Sequence, residues 1–184
     1  VKINIKKYSE INGCNDIMRG GKPMNFHGGQ HSAHDKKTEN LRVITSCCLG
    51  NVIALEKLSN DAFSSLILGD GFGVIPSANE FVAPISGEVK DVSANSHEIT
   101  VKTPDNMLIM VSVEPRESAC ELDISALVAS GDTIAQGQPL WNVAQPAAEL
   151  MAAVIVTNSD SLPSFNIRYG KVTSFNQPVM TITV

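Results

Sequence analysis

The stretch Leu66–Val89, LILGDGFGVIPSANEFVAPISGEV, decides how the chain folds. It holds two short apolar runs, Phe72–Ile75 and Glu80–Pro84, set apart by turn residues. Gly69-Asp70-Gly71 supplies positions that tolerate φ > 0, and Pro76-Ser77-Ala78-Asn79 is a turn that proline opens. Pro84-Ile85-Ser86-Gly87 makes a second turn, after which Glu88–Val92 alternates again. Runs this short, bounded this closely, predict antiparallel β structure.

The same rhythm extends outward over residues 43–184. Val43–Thr45, Gly50–Leu55, Gly87–Val92, Ile99–Lys102, Asn106–Glu114 and Thr133–Ile134 are further candidate strands. Leu140–Val143, Val154–Thr157, Gly170–Phe175 and Pro178–Val184 complete the set. Many short strands at roughly 8–12-residue spacing predict an all-β fold, a sandwich or barrel-sandwich with short helical turns. The best helix is Pro146–Met151, with proline in the first turn, where its missing N–H costs nothing.

Residues 1–42 read differently, as a polar Gly/His/Lys-containing N-terminal arm or linker ahead of the domain at 43–184. Val1, Ile3 and Ile5 alternate with polar residues, an edge strand or a disordered arm. Gly20-Gly21, Pro23 and Gly28-Gly29 then punctuate a polar run. His27, His31 and His34 have spacings that can hold zinc on a helix. The neighbouring Gly-Gly disfavours that helix, so a solvated linker is expected there, with no metal site and no cofactor.

The chain has 184 residues, 43% of them hydrophobic and 18% charged, ordinary for a globular protein. No apolar run approaches the ~20 residues of a membrane span. Val1–Ser9 lacks the apolar stretch of a signal peptide, and the opening valine suits a trimmed chain or a piece of a longer one. The net charge of −5 hides an asymmetry. Residues 1–45 carry eight Lys/Arg against four Asp/Glu, leaving six against fifteen in the body. An acidic body argues against nucleic acid, which needs clustered positive charge, and favours a basic protein patch as partner. Cys14, Cys47, Cys48 and Cys120 form no Cys-x-x-Cys pair, so buried thiols in a reducing cytoplasm are expected.

Val128–Leu140 repeats glycine every six residues, at Gly131 and Gly137. That phrase also occurs in lipoyl and biotinyl carriers, which need an exposed lysine at a hairpin tip. Lys57, Lys90, Lys102 and Lys171, the lysines of the body, occupy no such hairpin, so that reading fails.

Gly69-Asp70-Gly71, a fixed gap, then Ala83-Pro84 and Gly87-x-Val89 resemble the core signature of the glucose-type enzyme IIA domain of the bacterial sugar phosphotransferase system. The likeness runs in one order from Val43–Leu55 through Asn60–Phe63, Asn95-Ser96-His97, Gly131-Asp132-Thr133 and Pro146 to Gly170-x-Val172 and Pro178-Val179. It implies a cytoplasmic antiparallel β-sandwich that takes a phosphoryl group from a histidine phosphocarrier protein and hands it to a sugar permease domain. The family's chemistry needs two facing histidines in a shallow apolar dish. One imidazole attacks and the other donates to the phosphoryl oxygens, while apolar walls exclude water.

By that resemblance His97 takes the place of the phosphate-orienting histidine. The nucleophilic histidine belongs fifteen residues later, where the chain has Ser112, and no histidine follows His97. The Gly-Ile-Asp-Thr that follows the family's nucleophile is here Glu114-Pro115-Arg116-Glu117, and Asn60 stands at an acidic position. A serine hydroxyl attacks poorly without a base, and its phosphate ester is too stable to pass on. Phosphoryl relay by the usual route is therefore expected to be lost. His97 and Ser112 are the candidate site residues, expected side by side on strands joined by the Thr103–Asn106 turn, in a shallow apolar depression.

Three readings follow. The first is a degenerate enzyme IIA domain kept as a binding or regulatory module. The second is a working phosphocarrier with another acceptor, which would be His97, Ser112 or a linker histidine. The third is an unrelated small-molecule-binding sandwich that shares only turns. Trp141 is expected in the core or at its rim, Met107 and Met110 as packing, and Cys120 as inert.

Overall fold

A computed structural model describes residues 41–117, 121–162 and 164–183. The expected arm over 1–42, its three histidines and Cys14 lie outside the described residues, apart from Leu41 and Arg42. Those two already belong to the first strand, as does Val43.

Among the described residues fourteen short strands follow in chain order. They are β1 (Leu41–Thr45), β2 (Gly50–Ala54), β3 (Asp70–Pro76), β4 (Phe81–Val82), β5 (Gly87–Val92), β6 (Glu98–Lys102) and β7 (Leu108–Pro115). After them come β8 (Ile124–Ala126), β9 (Thr133–Ile134), β10 (Pro139–Val143), β11 (Leu150–Val156), β12 (Ser164–Ile167), β13 (Gly170–Val172) and β14 (Pro178–Thr183). An eight-stranded sheet runs β13-β2-β3-β11-β7-β6-β5-β9. Two three-stranded sheets, β1-β14-β12 and β4-β10-β8, accompany it. The described pairings are antiparallel, and the architecture is the expected all-β sandwich.

The main core fills the interior with Phe72 and Val74 of β3, Ile109, Val111 and Val113 of β7, and Leu150, Ala152, Val154 and Val156 of β11. Side chains alternate across a strand, so the intervening residues face the other way. There Met110, Met151, Ala153 and Ile155 meet a cover of Leu55, Leu58 and Phe63, forming a second cluster. The cover comes from a 3-10 turn at Leu55–Lys57 and the four-residue helix α1 (Asp61–Ser64), capped by Asn60 Oδ1 accepting from the Ala62 N–H.

Two sequence expectations need correction. The helix expected at Pro146–Met151 is a 3-10 turn at Ala147–Glu149, and Leu150 and Met151 open β11. The short strands β8 and β12 have no counterpart among the expected elements, because β8 is only three residues long and three of the four residues of β12 are exposed.

The Gly-Asp-Gly phrase serves two needs. Gly69 has φ +129°, where an L side chain is strained. Gly71 is required by contact instead, since a Cβ there would stand 2.0 Å from the Val154 carbonyl oxygen in β11. Backbone cannot yield as a side chain can. Gly71→Ala is therefore expected to cost about 3 kcal/mol or more in urea unfolding. Gly137→Ala, at φ +83° with open space around it, should cost only about 1 kcal/mol. Equal losses would show that the β3–β11 approach is not the constraint.

Candidate functional site

His97 sits at the mouth of β6, on a turn whose shape three side chains fix. The Ser93 hydroxyl donates to Asn95 Oδ1 at 2.8 Å, and its oxygen accepts the Glu98 N–H at 2.9 Å. Asn95 Oδ1 also accepts the His97 N–H at 3.2 Å. Ser96 takes φ +61°, a left-handed conformation that its carbonyl helps hold by accepting the Trp141 indole N–H. Trp141 is 4% exposed and packs edge-to-face on Phe81, so it is core and pins the turn from below.

β6 and β7 form the hairpin expected around residues 103–106. The register opposes Glu98 to Ser112, so His97 stands one step further, with the Val113 N–H donating to its carbonyl at 2.9 Å. His97, on the turn that enters β6, and Ser112 of β7 are thus neighbours, offset by one residue from direct opposition.

Glu114 joins them. It lies two residues beyond Ser112 and so shares its face. The Ser112 hydroxyl donates to Glu114 Oε1 at 3.1 Å, and Glu114 Oε2 lies 3.9 Å from His97 Nδ1. Ser112 is fully buried, while the side chains of His97 and Glu114 are about one-fifth exposed, 18% and 20%. Burial raises the Glu114 carboxyl above its ordinary range, the Ser112 hydrogen bond and His97 opposing part of that rise. The sequence offered a signal for Glu114 in its two-residue spacing from Ser112.

A cleft of about 590 Å³ opens here. Asn60, Asp61, Asn95, His97 and Glu114 line it, with Pro115 and Met151. It is polar where an apolar depression was expected. The reason is that Leu55, Leu58 and Phe63 cover the apolar part of this face, leaving Glu114 at the opening. Arg116 takes no part in lining the cleft. It is exposed, its Nη1 donates to the Ala148 carbonyl at 3.2 Å, and its backbone N–H donates to Glu149. Among the described residues no group of three His, Cys, Asp or Glu is arranged to hold a metal ion. Cys47 and Cys48 are free and buried in the main core, and the neighbouring Cys47 thiol together with burial pushes the Cys48 thiol up. Cys120 lies outside the described residues.

The raised carboxyl sets a pH dependence. Folded Glu114 holds its proton more tightly than the unfolded chain does, so its contribution favours folding at low pH and is lost as pH rises through the raised value. Glu114→Gln lacks that titration. The variant's urea midpoint should gain on the wild type as pH rises above about 4.3, the ordinary glutamate value. A difference that stays constant with pH, or moves the other way, would contradict the burial of this carboxyl.

The comparisons agree with the geometry of the sandwich. A family model described as phosphoenolpyruvate-dependent sugar phosphotransferase system, EIIA 1, matches residues 42–162, more than half of the chain. The glucose-specific EIIA components of Staphylococcus aureus and Staphylococcus epidermidis are each 29% identical to it over 126 residues, covering 64% of this chain and 75% of theirs. The solved glucose permease IIA from Mycoplasma capricolum superposes with a TM-score of 0.65 at 21% identity, over 77% of this chain and 96% of that one. That likeness reports the fold, and the sequence matches report the family. A sandwich that shares only turns with the family is thereby excluded, and the chain belongs to the EIIA 1 family of the phosphoenolpyruvate-dependent sugar phosphotransferase system.

Proposed function

We propose that this EIIA domain does not relay phosphate by the usual route and acts as a binding or regulatory module. The observation that carries this reading is the state of Ser112. Its hydroxyl is fully buried and already donates to Glu114, a carboxylate held largely out of water. A nucleophile needs a base, which the Glu114 carboxylate can supply, and also access to the incoming phosphorus, which full burial denies Ser112. Glu114 also lies where an incoming phosphoryl group would bring more negative charge, and Arg116, which would have offset it, is engaged elsewhere. Docking asks only for the shape of the surface around the cleft. The partners proposed are the histidine phosphocarrier protein, sugar permease domains and regulatory proteins, with the domain working in the cytoplasm. Among the described residues no helix is long and apolar enough to cross a membrane.

One observation favours a second reading, a phosphocarrier that uses His97. Its imidazole lines the cleft, and Glu114 Oε2 lies 3.9 Å from Nδ1, so an incoming phosphoryl group would meet least repulsion at Nε2.

Incubation with phosphoenolpyruvate, enzyme I and the histidine phosphocarrier separates the two. Acid-labile phosphate on the wild type is expected to stay below about a tenth of stoichiometric, for want of an activated nucleophile. Ser112→His alone must force an imidazole into a filled site, so uptake should recover better in Ser112→His/Glu114→Gly, which clears the space above it. Stoichiometric labelling of the wild type would overturn the first reading, and mapping the label to His97 would establish the second.

A further inference from the structure

We propose that the free edge of β1, with the groove beside it, binds an extended peptide carrying an acidic side chain by strand addition. The proposal is independent of the His97 cleft, from which β6 leads away to Lys102 over roughly 16 Å.

Among the described residues β1 is paired on one side only. Arg42 and Ile44 face β14, opposite Ile182 and Met180. Thr45 turns the other way, its N–H donating to the Pro84 carbonyl at 3.0 Å. Alternation along the strand turns the N–H and C=O of Leu41 and Val43 in the same direction as Thr45. The opposite edge of β14 fixes the same phase, since the Val179 carbonyl there accepts from Arg168. Neither Leu41 nor Val43 has a backbone partner on that side among the described residues. Their side chains are 61% and 40% exposed. An unpaired edge flanked by apolar side chains is a template for another strand.

The edge lies along a groove of about 760 Å³, within the range of ligand sites. Ile85 and Ile134 supply buried apolar surface to it. Charge selects the occupant. Arg42 Nε pairs with Asp105 Oδ2 at 2.7 Å, and Glu88 Oε1 with Lys90 Nζ at 2.9 Å. Lys102 lies across the strand pair from Glu88 and, after Lys90, helps hold that carboxyl low. It has no ion-pair partner within 4 Å among the described residues, so with Lys90 it leaves this stretch of the groove one positive charge in excess. An extended peptide meets all three features. Its backbone pairs with Leu41 and Val43, its alternate side chains reach the apolar surface, and a carboxylate meets Lys102.

The test titrates the isotopically labelled full chain with acetyl-Val-Thr-Val-Glu-Val-amide. The Leu41 and Val43 amides should shift and exchange about tenfold more slowly, with a Kd below about 1 mM. Val43→Pro removes an N–H that takes no part in the ladder to β14, and should weaken binding about tenfold at an unchanged urea midpoint. Lys102→Gln should weaken it a few-fold. A probe N-methylated at the residues that face β1 should not bind, and it asks nothing of the protein's stability. The proposal is overturned by absent shifts at a few millimolar probe, or by equal binding of the N-methylated probe. It fails too if these amides are already protected in the free chain, the edge then being covered by the chain itself. Unchanged affinity in Lys102→Gln would overturn the acidic preference.

Discussion

β11 carries seven consecutive buried residues, Leu150–Val156, because apolar side chains cover both faces of the sheet at its centre. Leu150, Ala152, Val154 and Val156 point into the main core, and Met151, Ala153 and Ile155 into the smaller cluster beneath Leu55, Leu58 and Phe63. Full burial of an aliphatic side chain is worth about 1.5–3 kcal/mol, so this strand and its cover are a large share of what holds the sandwich. The glycines of β3 make the arrangement possible. Gly71 lets the strand approach the Val154 carbonyl, and a Cβ on Gly73 would strike the Leu58 side chain. The candidate cleft inherits its wall from the same cover, since Ser59, Asn60 and Asp61 lead from Leu58 into α1 beside His97.

The chemistry of the cleft then follows from the two-residue period of β7. Met110, Ser112 and Glu114 share the face that the cover protects. Met110 is under it and Ser112 is sealed beside Ala153, its partner in β11, while Glu114 reaches the opening. The raised proton affinity of that carboxyl is the electrostatic trace of this gradient from dry to wet along one strand.

Turn chemistry carried most of the legible information. Gly69-Asp70-Gly71, the proline-led turns and the order of motifs led to the sandwich and placed the β6–β7 hairpin within one residue of its register. What escaped had physical causes. A strand buried on both faces shows no alternation, so with proline and two alanines ahead of it the start of β11 looked helical. The polarity of the cleft depends on a cover folded over from residues 55–64, a tertiary contact that local pattern does not encode. Trp141, expected in the core or at its rim, is in the core, yet its bond to Ser96 joins positions 45 residues apart.

Ser112 and Glu114 make sense only as a pair. A serine hydroxyl sealed among Met110, Ala153 and Ile155 would be left without a partner, at a cost of about 1–3 kcal/mol. Glu114 satisfies it, and in return the hydroxyl offsets part of the burial that opposes the carboxylate's charge. The family's glycine at position 114 could do neither. Either residue alone is therefore unfavourable in the other's absence, so a histidine placed at 112 would require a change at 114 as well. The same coupling ties His97 to the pair, since the Glu114 oxygen that Ser112 leaves unoccupied is the one nearest Nδ1.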